Sequence, residues 1–155
     1  QRQVCIRDSD NVVDTYNNDL KIVDFGVAKE LRLERKVGPD QYHGSIAGTR
    51  RYMSPEVMKG SPYGLPADVY SFSILAWEMI HFERPFHNVT NMKALEKAVL
   101  VWKKRPKISK DCPKEVKALL SDGWLHAPSR RPAMRKVHRA LGDYLVSTCK
   151  FAARS

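Results

Sequence analysis

Cysteine is scarce. The 155 residues hold three, Cys5, Cys112 and Cys149, widely spaced and without a C-x-x-C pair, so neither a disulfide framework nor a structural zinc site is indicated. A reducing, cytoplasmic setting is the expectation from that usage. Long apolar runs are absent too: none approaches the roughly 18 residues that a membrane-spanning helix requires. The opening Gln1-Arg2-Gln3-Val4-Cys5-Ile6-Arg7-Asp8 lacks the apolar stretch of a secretory signal, and a start without Met is what a piece of a longer chain would show. Internal repeats and low-complexity tracts are missing. What is present, 43% hydrophobic and 28% charged residues, is the composition of one globular domain with a substantial core, which excludes disorder, collagen and coiled coil.

Acidic residues are short in one half only. Lys and Arg number 27 against 17 Asp and Glu, a net charge of +10. Up to Leu100 the two signs cancel, 13 against 13, whereas from Val101 onward they stand 14 against 4. A polyanion binder would need a continuous basic face or an aromatic stacking platform, and no nucleic-acid motif is visible, so nucleic acid is not favoured as a partner. The clustering points instead to a docking face for acidic partners at the C-terminal end.

Local patterns set the organisation. Val12-Val13 and Leu20-Lys21-Ile22-Val23 flank an Asn- and Asp-rich stretch, which predicts two short antiparallel strands. From Glu30 to Gly48 no period of 2 or 3.6 is sustained, the mark of a long surface loop, and such loops in compact domains are commonly functional. After Pro66, apolar residues from Ala67 to Ile80 run almost all the way round a helix, which must therefore be buried at the centre of the core. Three narrower stripes follow: Met92, Leu95, Val99 and Trp102; Val116, Leu119 and Leu120; and Val137, Leu141 and Leu145. Pro85, Pro106, Pro113, Pro128 and Pro132 fall at the joins, where a missing backbone donor does least harm.

The chemistry-bearing motifs come in a fixed order. The strand Lys21-Ile22-Val23 runs into Asp24-Phe25-Gly26; then come Gly48-Thr49-Arg50-Arg51-Tyr52-Met53-Ser54-Pro55-Glu56, Asp68-Val69-Tyr70-Ser71-Phe72 and Arg130-Arg131-Pro132. One tripeptide is weak evidence, but the ordered set is specific. It resembles the C-terminal lobe of a eukaryotic protein kinase, from Asn11 to about Leu145, and is most similar to tyrosine-kinase-like Ser/Thr kinases. The resemblance implies a mainly α fold with a small β-hairpin and no N-terminal lobe. It divides the chain into a remnant of or departure from the catalytic loop (1–10), a partial kinase domain (11–146) and a tail (147–155).

By that resemblance Asp24 holds Mg²⁺ against the phosphates of ATP and Asn11 holds a second metal, a role suited to hard oxygen donors. Phe25 and Gly26 complete the motif. Thr49 matches the substrate-docking hydroxyl of Ser/Thr kinases, so the implied partner is a protein substrate with Ser or Thr. Tyr42, Ser45 and Thr49 are hydroxyls of the activation loop that a phosphate could order through Arg7, Arg50 or Arg51. Glu56 and Arg131 match a buried ion pair that anchors this segment, and Asp68 matches a residue that caps the catalytic-loop backbone.

Two features depart from the pattern. The kinase catalytic loop reads H-R-D-L-x-x-x-N, whereas here only Ser9 and Asp10 separate Asp8 from Asn11, and Ile6 stands for the His. Either Asp8 is the base on a shortened loop, or Asn11 stays in register and the base position falls on Ile6, which cannot accept a proton. The sequence also holds no Gly-rich loop, no V-A-I-K lysine and no partner Glu. The expectation is a partial domain, inactive by itself, whose complete form transfers the ATP γ-phosphate; the alternative is a non-catalytic kinase-like protein-binding module. The helix preceding the catalytic loop in the family is missing as well, which should leave one side of the 69–80 helix uncovered.

Overall fold

Val12 and Ile22 stand opposite one another across an antiparallel pair, as the two short apolar stretches around the Asn-rich turn predict. The computed structural model describes residues 2–3, 12–14, 20–23, 26, 28–30, 36–38, 41–42, 46 and 48–152. The strands are β1 (Arg2–Gln3), β2 (Val12–Asp14), β3 (Leu20–Ile22), β4 (Lys29–Glu30), β5 (Lys36–Gly38) and β6 (Gln41–Tyr42). They form three separate antiparallel pairs, β1 with β4, β2 with β3 and β5 with β6. Only the second was legible as a hairpin. The stretch from Glu30 to Gly48, read as a loop, contains β5 and β6, because strands of two or three residues are too short to display an alternating pattern. Tyr42 further bridges Tyr63 through N–H to O bonds of 2.9 and 3.1 Å, which fastens this segment to the helical body.

Helices make up the rest: α1 (Pro55–Met58), α2 (Pro66–His81), α3 (Met92–Leu100), α4 (Lys114–Gly123) and α5 (Met134–Ala152). Pro55 and Pro66 sit in the first turns of α1 and α2, where their fixed φ helps and their absent N–H is not missed. Asn91 caps α3 by accepting a hydrogen bond from the Lys93 N–H at 2.8 Å. Trp102 does not extend the α3 stripe: the helix ends at Leu100, and Trp102 lies beyond it, 54% exposed. The last helix, α5, runs on to Ala152.

The core forms around α2, whose Val69, Tyr70, Ile74, Leu75 and Trp77 are all buried. Tyr52, Cys112, Val116, Leu120 and Trp124 surround one side, and Leu95 and Val99 of α3 join Met53, Val57 and Met58 in a second cluster. Gly123 lies where α4 meets α2, and a Cβ there would collide with the Ser73 hydroxyl. That absence of a side chain lets the helices approach closely. A third stripe of α2 is not fully covered: Phe72 and Ala76 are half-buried, while Met79 and Ile80 are 53% and 41% exposed. No helix among the described residues is long and apolar enough to cross a membrane.

Candidate functional site

Thr49 opens a short 3-10 turn, Arg50–Tyr52, its carbonyl accepting from the Tyr52 N–H at 3.1 Å. The turn is pinned from below. Ser71 on α2 donates its hydroxyl to the Tyr52 carbonyl at 2.8 Å, sharing that proton with the Ala67 carbonyl at 3.2 Å. The Tyr52 phenol donates to Glu78 at 2.7 Å. The chain that arrives at Gly48 thus joins the helical body at a defined place. Ser54 follows, buried at 1% exposure, and its hydroxyl has no hydrogen-bond partner among the described residues.

Glu56, in the first turn of α1, is held by Arg131 from the turn that precedes α5. Nη1 and Nη2 donate to the two carboxylate oxygens at 2.6 and 2.8 Å, the parallel fork for which guanidinium and carboxylate are matched in shape. Both residues are buried, Glu56 at 9% and Arg131 at 7% exposure. The remaining donors of Arg131 are also used, Nε on the Leu125 carbonyl at 2.8 Å, Nη1 on the Pro66 carbonyl at 2.9 Å and Nη2 on the His126 carbonyl at 3.4 Å. One side chain therefore joins α1, the start of α2 and the 125–131 turn. Charges can be buried in this way because every donor is satisfied.

Tyr70 lies against the same hub. The guanidinium carbons of Arg105 and Arg131 are each 5.0 Å from its ring centroid, so two cations share one buried ring. Burial pushes the Tyr70 phenol up to about 12, although the two arginines pull the other way. Arg105 is fixed by Nε donating to the Trp124 carbonyl at 2.8 Å. His126, beside this cluster, has its imidazole held below the usual range, first by burial and then by the cations Arg105, Lys59, Lys103 and Arg131.

Of the residues singled out from sequence, the structure brings Glu56 and Arg131 together and places Asp68, half-buried, in the first turn of α2. Thr49 is half-buried at the edge of the pinned turn, Tyr42 lies on β6, and Gly26 occupies an exposed turn. Asp8, Asn11, Asp24, Phe25, Ser45 and Arg7 lie outside the described residues. Arg50 and Arg51 both have partners among the described residues. Arg50 pairs with Glu96, and Arg51 donates to the carbonyls of Pro85, Phe86 and Val89 at 3.1, 2.5 and 3.0 Å. The anchoring roles of Arg51, Tyr70 and Arg105 had no sequence signal; the carbonyls that Arg51 reaches lie 34 to 38 positions away. Among the described residues no cluster of His, Cys, Asp and Glu could hold a metal ion, and the expected metal-holding residues are among those not described.

Comparison with known proteins accounts for this arrangement. The family model described as the protein kinase domain matches residues 1–141. A LIM domain-containing serine/threonine-protein kinase of Dictyostelium discoideum is 34% identical over 128 residues, covering 82% of this chain and 18% of that protein. The dual specificity protein kinase shkC of the same organism is 34% identical over 138 residues, 89% of this chain and 27% of its own length. A mitogen-activated protein kinase kinase kinase 7-like protein of Drosophila melanogaster is 33% identical over 139 residues, 85% of this chain and 33% of its own. The chain belongs to the protein kinase domain family. It spans between about a fifth and a third of the length of these relatives.

Proposed function

We propose that this chain is the C-terminal lobe of a Ser/Thr protein kinase of the tyrosine-kinase-like branch, and that the complete protein transfers the γ-phosphate of ATP to a protein hydroxyl. The observation that carries the reading is the buried, bidentate Glu56–Arg131 clamp. It ties the Ser54-Pro55-Glu56 motif to the Arg131-Pro132 motif across 75 positions and so presents the preceding segment, with Thr49, on a rigid base. Positioning and electrostatics supply most of phosphoryl-transfer catalysis, which is why such a base matters. In this reading Asp24 and Asn11 hold Mg²⁺, whose charge, when bound, offsets that of the ATP phosphates. Thr49 lies beside the acceptor hydroxyl, and Asp8 is the candidate base on a loop two residues shorter than the family's. Asp68 caps the catalytic loop. The half-covered stripe of Phe72, Ala76, Met79 and Ile80 suits the missing family helix as its neighbour.

The 155 residues carry no Gly-rich loop and no phosphate-pairing lysine, so by themselves they transfer no phosphate. The test is a radiolabelled-ATP assay of the full-length protein on Ser/Thr peptide libraries, with Asp24→Asn alongside. Incorporation lost by about 100-fold or more in Asp24→Asn supports the reading, the order expected when a transition-state electrostatic partner is removed. A full-length protein that neither binds nor hydrolyses ATP yet captures a protein partner would support the non-catalytic module instead, which the shortened Asp8-Ser9-Asp10-Asn11 loop favours.

A further inference from the structure

The end of α2, the 83–89 turn, α3 and the 102–109 segment enclose a groove of about 610 Å³. None of the kinase motif residues lines it. Its floor is apolar, built from Trp77, Phe86, Val89, Ala94 and Ala98. The two alanines lie one turn apart on the same face of α3, and their small side chains are what leave the space. Apolar concavities of this size with a few polar groups at the edge are the usual form of a recognition site.

The rim is cationic. Lys104 and Lys107 line the groove, and Lys97 stands beside it. The ammonium groups of Lys97 and Lys104 lie 5.2 and 4.9 Å from the ring centroid of Trp102, so the half-exposed indole gathers two charges at one edge. None of the three lysines pairs with a carboxylate among the described residues. Glu83, the one acidic residue in the lining, lies 2.5 Å from Nδ1 of His87, a contact that is an ion pair when the imidazole is protonated.

The walls are preset. His81 stacks on Trp77 with centroids 4.6 Å apart, donates from Nδ1 to the Trp77 carbonyl at 2.8 Å and accepts at Nε2 from the Ser109 N–H at 2.9 Å. Beyond the end of α3 the chain curls back, Trp102 N–H on the Lys97 carbonyl and Lys104 N–H on the Ala98 carbonyl at 3.2 and 2.9 Å. Among the described residues, the non-glycine positions with left-handed backbone are Phe82, Phe86 and Lys103, at φ 50°, 53° and 51°. All three lie in this rim or next to a residue that lines it. Phe82 is the left-handed cap that ends α2, and the three positions together fix the turns that shape the rim.

We propose that this groove docks a linear acidic segment of a partner protein, an apolar side chain of which enters between Trp77, Phe86 and Ala94 while its carboxylates meet Lys97, Lys104 and Lys107. The commitment to an acidic peptide rests on charge complementarity with three unpaired lysines around an apolar floor. A nucleic acid fits less well, since the Trp102 ring already serves two ammonium groups and is not a free stacking platform. This site stands apart from phosphate transfer and does not depend on it.

The experiment is fluorescence anisotropy of the intact protein with a fluorescein-labelled peptide carrying a central Leu-Phe pair flanked by Glu residues. Binding should weaken with added salt and with Leu-Phe replaced by Gly-Ser. Ala94→Trp, which fills the groove from an exposed position, and Lys97→Glu with Lys104→Glu should each weaken it by about tenfold or more. Lys136→Glu with Arg139→Glu, on α5, should leave it unchanged. Wild-type affinity in Ala94→Trp with an unaltered circular dichroism spectrum would overturn the proposal. So would no binding at all, an equal loss from the α5 reversals, or displacement by single-stranded RNA as effective as by unlabelled peptide. If Ala94→Trp does not fold, the Lys97 and Lys104 reversals decide.

Discussion

Arg131 spans 75 positions of sequence to hold both carboxylate oxygens of Glu56, at 2.6 and 2.8 Å, in a site where neither side chain meets much water. Removing one partner strands the other charge in a poorly solvated place, so Arg131→Ala should lower stability by about 3 to 5 kcal/mol. Arg131→Lys should recover little, because an ammonium cannot reproduce the fork or reach Leu125 and Pro66 together. Denaturant melts of the three proteins measure this; a loss below that of an exposed ion pair would mean the clamp is not a structural joint.

Ser54 stands where the A-P-E pattern has Ala, and its buried hydroxyl makes no hydrogen bond among the described residues. An unsatisfied buried hydroxyl costs about 1 to 3 kcal/mol. Ser54→Ala should therefore raise the melting temperature, and Ser54→Val, which adds volume to a tight place, should not. A melt unchanged or lowered in Ser54→Ala would show that the hydroxyl has a role.

Gly123 and Ser73 bring α4 against α2. In Gly123→Ala the new methyl group meets both the hydroxyl and the Cβ of Ser73, so the helices must part at a cost of about 1 to 3 kcal/mol. Ser73→Gly in the same protein removes both obstacles and should restore part of the loss, a coupling that a double-mutant cycle reads directly. Additive losses would place the damage elsewhere.

His126 resists protonation in the folded state because burial and four nearby cations oppose its charge. Above its ordinary value of 6.5 the ring is neutral whether the chain is folded or not, and nothing differs. As pH falls below 6.5 the unfolded chain takes up a proton that the folded chain refuses, so stability declines until the pH passes the lower folded value. His126→Gln should flatten this part of the stability profile relative to the wild type. Parallel profiles from neutral to mildly acidic pH would remove His126 as the cause.

Met79 and Ile80 end a stripe of α2 that starts half-buried at Phe72 and Ala76. Exposed apolar surface of this kind binds dyes and drives association. The 155-residue chain alone should enhance the fluorescence of anilinonaphthalene sulfonate, and Met79→Gln with Ile80→Gln should reduce it. A concentration-independent monomer with no dye signal would contradict the idea that this face awaits a neighbour.

Local information determined much of this protein. The β2–β3 hairpin, the central helix after Pro66 and the stripe of α4 were legible because their patterns repeat over several residues and end on Pro, Gly or Asn. The ordered motifs carried the family. Tertiary structure decided what has no local period. It alone placed strands inside the 30–48 stretch, where two or three residues are too few to show an alternating pattern. It turned Trp102 out of the α3 stripe, because the helix ended two residues sooner and the backbone at Lys103 went left-handed. It spent Arg50 and Arg51 on Glu96 and on distant carbonyls, which composition cannot distinguish from free charge. Part of the basic surplus after Val101, only a count in the sequence, became a groove rim because the fold set Lys104 and Lys107, with Lys97 of the balanced half, beside two alanines and two tryptophans.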